Sequence, residues 1–296
     1  MQGALHPDDL RPDDLRPGDL LSGELRQDEL RRAVLAPGRL WSRLDVLAQT
    51  GSTNDDLLAA ARAGAAEGAV LAAEHQTRGR GRQGRQWVSR TGSALIFSVL
   101  LRPAAVPPAD RGWLPLLTGV AVARAVRQQA GVDAALKWPN DVLVGGAKLA
   151  GILAEQAGEA IVMGVGLNVG ATRDELPPPG PGALPATSLA LLGAGRADGK
   201  VFDRETLLIG ILAELEDWYR RWTWPSPGDT EGSGLRAEYL RLSATIGREV
   251  RVELPGGMTL TGVASGIDPV GRLIVDTAAG PAAVSAGDVI HVRTPG

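Results

Sequence analysis

Lysine is scarce in this chain: only three of its 31 Lys and Arg residues are lysines, at positions 137, 148 and 200. Two of them frame one block, Lys137-Trp138-Pro139-Asn140-Asp141-Val-Leu-Val-Gly-Gly-Ala-Lys148. The chain writes arginine almost everywhere else, so composition alone would have put arginine at both ends. Guanidinium is a wide planar fork, whereas an ammonium is a compact charge on a thin stem. The ammonium fits a tight pocket and can be aimed at one oxygen of a carboxylate or phosphate. The block is therefore the first candidate for chemistry, set against the alternative of two retained surface lysines.

A second block, Arg78-Gly79-Arg80-Gly81-Arg82-Gln83-Gly84-Arg85-Gln86-Trp87, puts four arginines and three glycines within eight residues. Glycine lets the backbone turn sharply and approach a ligand closely. Arginine supplies forked donors that match carboxylate and phosphate oxygens. Trp87 offers an aromatic face to a flat ring such as adenine. The glycines fit G-x-G-x-x-G, but a lone match is weak, and the Gly-Lys-Ser/Thr ending of a P-loop is missing. An RGG-like nucleic-acid segment is the competing reading; the position between two apolar strands argues against it. Upstream, Ser52-Thr53-Asn54 reads as a helix cap that can also present hydroxyls and an amide to a polar ring. Gln76 is a neutral amide at a strand end. The three histidines have no metal-ligand spacing, and no Ser–His–Asp grouping is visible.

The elements that must position these residues follow from periodicity and punctuation. The spacing predicts a short helix from Ser22 to Leu35, stopped by Pro37-Gly38, a strand over Trp41–Leu47, a helix over Leu57–Ala66 and a buried strand over Ala69–Ala73. A strand over Ala94–Leu101 precedes a long apolar helix, Leu114–Ala130. Ala135–Trp138 and Asp141–Val144 form a hairpin, followed by strands Leu149–Gln156 and Ala160–Leu167. Leu176–Ala186 reads as a loop, Asp203–Trp222 as an amphipathic helix and Thr223–Gly234 as a connector. Short, evenly spaced strands over Val250–Leu254, Thr259–Gly266, Arg272–Thr277, Ala282–Val284 and Val289–Arg293 predict a small antiparallel barrel. The fold class expected is α+β, a mixed β-sheet flanked by helices with a small C-terminal SH3-like β-barrel. The segments are an acidic disordered tail (1–24), a catalytic domain (25–240) and the barrel (241–296). The tail repeats leucine every five residues, a period of neither helix nor strand, and is broken by Pro7, Pro12 and Pro17.

Bulk properties narrow the function. A formal net charge of -3 argues against a general nucleic-acid or membrane-surface binder. The absence of cysteine removes thiolate catalysis, disulfides and Cys-based zinc sites. No run approaches a bilayer span and no signal peptide is visible, so the cytoplasm is the expected compartment.

In order, the chain reads Ser52-Thr53-Asn54, Glu74-x-Gln76-Thr-x-Gly-Arg80-Gly81-Arg82-x-Gly-Arg85-x-Trp87, Lys137-Trp-Pro-Asn140-Asp141, Lys148-Leu-Ala-Gly151-Ile-Leu-x-Glu155 and Gly164-x-Gly166-x-Asn168-Val169. That succession resembles the biotin protein ligases over about residues 40–296. The resemblance implies that biotin and ATP are joined as biotinyl-5′-AMP with release of pyrophosphate. Biotin then passes to one lysine of a biotin carboxyl carrier domain, of acetyl-CoA carboxylase or a related carboxylase. By the family pattern Ser52, Thr53, Asn54, Gln76, Arg80, Gly81, Arg82, Lys148 and Gly151 lie on the biotin side. Arg82, Arg85, Trp87, Lys137, Asn140, Asp141 and Asn168 lie on the ATP side, with Lys148 and Arg82 as catalytic residues. Asp141 orients either Lys148 or the incoming amine, and Lys137 either reaches phosphate or anchors the hairpin. Mg²⁺ is expected with ATP, held largely by phosphates and water, and no protein metal site is expected. Residues 78–86 are expected to be disordered without ligand and to order over it, excluding water.

Two departures from the family pattern stand out. Arg78 occupies a place where the family commonly has a small residue. Fewer than 40 residues precede the catalytic text, acidic and with early prolines, so no winged helix and no DNA binding are expected. A monofunctional ligase is the expectation; a homodimer is compatible with it. The competing enzyme class is a lipoate or octanoate ligase or transferase, and the competing non-enzyme is a biotin-sensing module.

Overall fold

The computed structural model describes residues 24–179, 184–193 and 202–292. Except for Glu24, the expectation for the 1–24 tail lies outside these residues. Seven apolar runs form one sheet in the order β1-β2-β3-β7-β6-β5-β4. The strands are β1 (Arg43–Leu47), β2 (Ala69–Ala73), β3 (Ala94–Leu101), β4 (Ala134–Lys137), β5 (Asp141–Val144), β6 (Ala147–Ala157) and β7 (Ala160–Asn168). The β1–β2 pair is parallel and the other pairs are antiparallel, so the sheet is mixed as expected. Every residue of β3 and β7 is buried, because both sheet faces are covered.

One face carries α2 (Thr53–Arg62), which lies against β2, β3, β6 and β7. Its Leu57, Leu58 and Ala61 pack with Leu71, Leu100 and Val162, each buried leucine contributing about 1.5–3 kcal/mol. The other face carries α3 (Leu114–Ala130), covered in turn by α4 (Arg204–Thr223) and α5 (Leu235–Leu242). Asp203 caps α4 by accepting from the Glu205 and Thr206 amides at 3.2 Å. The N-terminal helix α1 (Gln27–Val34), shorter than expected, packs on β1 and α4. Behind it Glu74 accepts from the Leu25 amide at 2.6 Å and pairs with the buried Arg204 guanidinium at 2.7 Å. Three elements were not foreseen: α5 and the 3-10 helices over Arg82–Gly84 and Pro108–Trp113.

The C-terminal strands are β8 (Glu249–Glu253), β9 (Thr259–Ile267), β10 (Leu273–Thr277), β11 (Gly280–Val284) and β12 (Asp288–His291). They form an antiparallel sheet in the order β11-β10-β9-β8-β12. Among the described residues β11 and β12 do not pair with each other, so the expected closed barrel is corrected to an open five-stranded sheet. Inward–outward alternation is the same in both arrangements, which is why the sequence pattern could not separate them. Two tryptophans fasten this sheet to the first: Trp113 Nε1 donates to Pro269 O at 2.8 Å, and Trp138 Nε1 donates to Gly271 O at 3.2 Å.

Candidate active site

The site residues come from four places on the large sheet. Ser52 caps α2, its Oγ accepting from the Asp55 amide at 3.4 Å, so Thr53 and Asn54 occupy the first turn beside the sheet. Gln76 follows β2, and its Oε1 accepts from the Thr53 amide at 2.7 Å. The Arg/Gly segment leaves β2 and returns on itself. Gly81 N donates to Arg85 O at 2.7 Å, and Trp87 N donates to Gly79 O at 3.0 Å. Between these bonds lies a single 3-10 turn, Arg82–Gly84, with Gln83 at φ 54°. The β4–β5 turn, through the cis Trp138–Pro139 peptide, presents Asn140, whose amide donates to Ile152 O at 2.8 Å. Gly145 and Gly146, at φ 57° and 78°, close the next two-residue turn and return the chain to Lys148 on β6.

Two cavities adjoin here. The first, of about 100 Å³, runs between α2, the Arg/Gly loop and strands β3, β6 and β7. Its lining includes Ser52, Thr53, Asn54, Gln76, Arg80, Gly81, Arg82, Lys148 and Gly151, all nine residues expected on the biotin side. One end is a neutral cluster of hydroxyls and amides, and Arg82 and Lys148 bring the cations. The second cavity, of about 330 Å³, opens between the loop, the β4–β5 turn and β12. Arg85, Trp87, Lys137, Asn140, Asp141 and Asn168 line it. Arg82 does not; its Nη1 instead donates to Asn140 Oδ1 at 3.3 Å, on the wall between the two spaces. Lys148, Asn140, Arg85, Gln86 and Trp87 line both cavities.

Glycine makes room for that junction. The indole of Trp87 lies flat across Gly151 and Gly166, which are register partners on β6 and β7. A Cβ at Gly166 would overlap the ring, and one at Gly164 would overlap the Asn54 side-chain oxygen.

The electrostatics centre on Asp141. The Lys148 ammonium is 2.6 Å from Asp141 Oδ1, and Lys137 Nζ is 3.9 Å from Oδ2. One carboxylate thus tethers the two ammoniums that frame the block. Burial, then the nearby Lys148 charge, pulls the Lys137 pKa down while Asp141 opposes the shift. Burial likewise lowers that of Arg82, against Asp288 and Asp141, which raise it. Arg85 pairs with Asp288 of β12 at 2.9 Å, so the C-terminal sheet holds one end of the loop.

Several lining residues were not singled out from the sequence. Pro177, Pro178, Pro179, Leu184 and Ala186 form a wall of the second cavity, and Glu253, Asp288, Val289 and Ile290 form its floor. The proline run was visible only as a loop, and nothing in the spacing of a short strand marks Asp288. Gly164 and Gly166 did carry a signal: two glycines in an otherwise apolar buried strand mark a close approach.

The architecture agrees with what the chain matches. Residues 46–171 match the biotin/lipoate A/B protein ligase family, and residues 245–292 match the biotin protein ligase C terminal domain. The chain is 46% identical to the biotin–[acetyl-CoA-carboxylase] ligase of Mycobacterium tuberculosis over 264 residues, covering 88% of this chain and 93% of that one. It is 34% identical to the bifunctional ligase/repressor BirA of Bacillus subtilis over 83% of this chain and 72% of that protein. Its fold matches the biotin protein ligase from Aquifex aeolicus in complex with biotin and ATP, with a TM-score of 0.69, at 26% identity over 86% of this chain and 100% of that one. The chain belongs to the biotin protein ligase family.

Proposed function

We propose that this chain is an ATP-dependent biotin–protein ligase of the monofunctional type. The observation that carries the reading is the junction of the two cavities at Lys148, Asn140, Arg85 and Trp87. A bicyclic urea with a carboxylate tail suits the narrow cavity, its ring among Ser52, Thr53, Asn54 and Gln76. A nucleotide suits the larger one, its base against Trp87 and its phosphates toward Arg85, Lys137 and Lys148. A biotin carboxylate oxygen attacks the α-phosphorus and pyrophosphate leaves, giving biotinyl-5′-AMP. Two anions must meet in this step, and Lys148 and Arg82 stabilise the charge on the oxygens between them. Asp141 keeps the Lys148 ammonium aimed. In the second step a carrier lysine, as the free amine, attacks the acyl carbon and AMP leaves.

The mixed anhydride hydrolyses readily, so water exclusion by the Arg78–Trp87 loop matters in both steps. ATP is taken as its Mg²⁺ complex, with the metal held by phosphates and water. Among the described residues no group of three or more His, Cys, Asp or Glu side chains forms a metal seat of its own. On this reading the partner is a biotin carboxyl carrier domain, DNA is not a partner, and the compartment is the cytoplasm. A homodimer is compatible with it. Among the described residues no helix is long and apolar enough to cross a membrane.

The test is pyrophosphate release with MgATP and each candidate acid. Biotin is expected to drive release, with lipoate and octanoate giving none. Release with lipoate or octanoate instead would overturn the substrate assignment.

A further inference from the structure

Glu155 ends the block that begins at Lys148, and nothing above gives it a role. It sits on β6 and does not line the first cavity itself, but touches Asn54 and Arg80, which do; its side chain is 23% exposed. Its carboxylate accepts from Asn54 Nδ2 at 2.8 Å. It also pairs with Arg80 Nη2 at 2.9 Å, and Asp55 pairs with the same nitrogen. From Asn54 a chain of short contacts runs inward. Ser98 Oγ, fully buried on β3, donates to Asn54 Oδ1 at 2.6 Å. Ser98 Oγ is also 2.7 Å from Thr53 Oγ1, where either atom could donate. Thr53 Oγ1 is in turn 3.0 Å from Gln76 Oε1.

These three hydroxyl contacts share only two protons, one on Ser98 and one on Thr53. Two acceptors on Asn54 Nδ2 decide how they are spent, the Glu155 carboxylate at 2.8 Å and, more weakly, the Leu153 carbonyl at 3.4 Å. A carboxylate paired with arginine only accepts, so Asn54 must turn its NH₂ toward Glu155 and its oxygen toward Ser98. Ser98 then commits its proton to Asn54 and takes part with Thr53 only as an acceptor. The Thr53 proton then has two acceptors, Gln76 Oε1 at 3.0 Å and Ser98 Oγ at 2.7 Å, and we assign it to the shorter contact. That leaves Thr53 Oγ1 and Gln76 Oε1 as two acceptor oxygens side by side at the polar end of the cavity, a seat for an N–H donor.

Resting on the ligase reading, we propose that Glu155 is a positioning residue with two linked duties. Through Asn54 and Ser98 it sets the Thr53 hydroxyl as an acceptor for a ring N–H of the urea. Through Arg80 it holds the Arg/Gly loop down over the same ligand. The two duties share one carboxylate, so recognition of the ring and closure of the loop are coupled. Ser98 serves only the first.

The test compares Glu155→Gln, isosteric but able to donate, with Ser98→Ala, which cuts the chain but keeps the Glu155–Arg80 pair. Biotin KM and kcat are read from pyrophosphate release, and loop opening from trypsin cleavage after the loop arginines in the ligand-free protein. Ser98→Ala is expected to raise biotin KM roughly three- to tenfold, with kcat and cleavage rate unchanged. Glu155→Gln is expected to raise KM similarly and also to speed loop cleavage about fivefold. The same pattern in both variants, or wild-type KM and cleavage in Glu155→Gln, would overturn the proposal. An equal loss of kcat and kcat/KM, tracking a lower melting temperature, would reduce Glu155 to a structural residue and overturn it as well. If the wild type releases no pyrophosphate with biotin, the ligase reading has failed. The proteolysis comparison then still decides the loop half independently.

Discussion

Replacing Gly166 by alanine tests whether the floor beneath Trp87 is needed for nucleotide binding. Gly166 lies mid-strand on β7, opposite Gly151 of β6, and the two leave a flat surface that the indole covers. A Cβ at 166 would come within 2.6 to 2.8 Å of ring atoms Cζ2 and Cδ2, where ordinary contact begins near 3.4 Å. The ring must therefore lift by the better part of an ångström. Trp87 is only half-buried and can swing outward, so the fold should lose no more than about 1–2 kcal/mol. The nucleotide loses its stacking wall instead. Aromatic stacking on a base contributes about 1–3 kcal/mol, which converts to roughly 5- to 150-fold in ATP affinity. Titration calorimetry of ATP and of biotin, with urea unfolding as control, separates the two effects. Unchanged ATP affinity in a folded Gly166→Ala protein would refute the stacking role of Trp87.

Other substitutions probe the charges. Asp141→Asn removes the carboxylate 2.6 Å from Lys148, so kcat of the adenylation step should fall about 10- to 100-fold, with biotin KM within about threefold. Steady-state pyrophosphate release checks it, and an unaltered kcat would remove Asp141 from the account. His291 is held near a pKa of about 4, first by burial and then by the Lys137 and Arg248 charges, against an ordinary value of 6.5. Its contribution is complete above 6.5 and is lost as pH falls toward 4, because the unfolded chain then binds a proton the folded one refuses. After solvent screening of this part-exposed ring, urea unfolding should show a loss of about 1 kcal/mol between about pH 7 and 5 that His291→Gln largely abolishes; equal losses in both proteins would argue against it. Arg204→Met strands the buried Glu74 carboxylate, and equilibrium unfolding should register a loss of about 3–5 kcal/mol. A change below about 1 kcal/mol would mean that pair does not hold the N-terminal segment.

Most of the large sheet was legible because its strands are apolar runs punctuated by glycine and charge. The long helix α3 was equally plain, since its apolar residues fill nearly every turn. What stayed hidden was relational. The eight-residue α5 follows a Trp/Pro/Gly/Ser-rich stretch and has little periodicity of its own. Pairing of Arg85 with Asp288 joins residues 203 apart, and no local spacing encodes that. Ser98 carries no signal of its own in the apolar run Ala94–Leu101, and only the fold brings it against Thr53 and Asn54. The lysines of the candidate block were readable because their type departed from the chain's own habit of arginine, and Gly151 came from the family resemblance; the signal of glycine inside buried strands was left unused at Gly164 and Gly166.

The central claim is that Lys148 stands where a biotin carboxylate meets the α-phosphate. The direct measurement is transfer of labelled biotin to a biotin carboxyl carrier domain with MgATP, by the wild type and by Lys148→Ala. The account expects transfer by the wild type and a loss of at least about 100-fold in the variant, with the fold intact. Equal transfer by both proteins would contradict it.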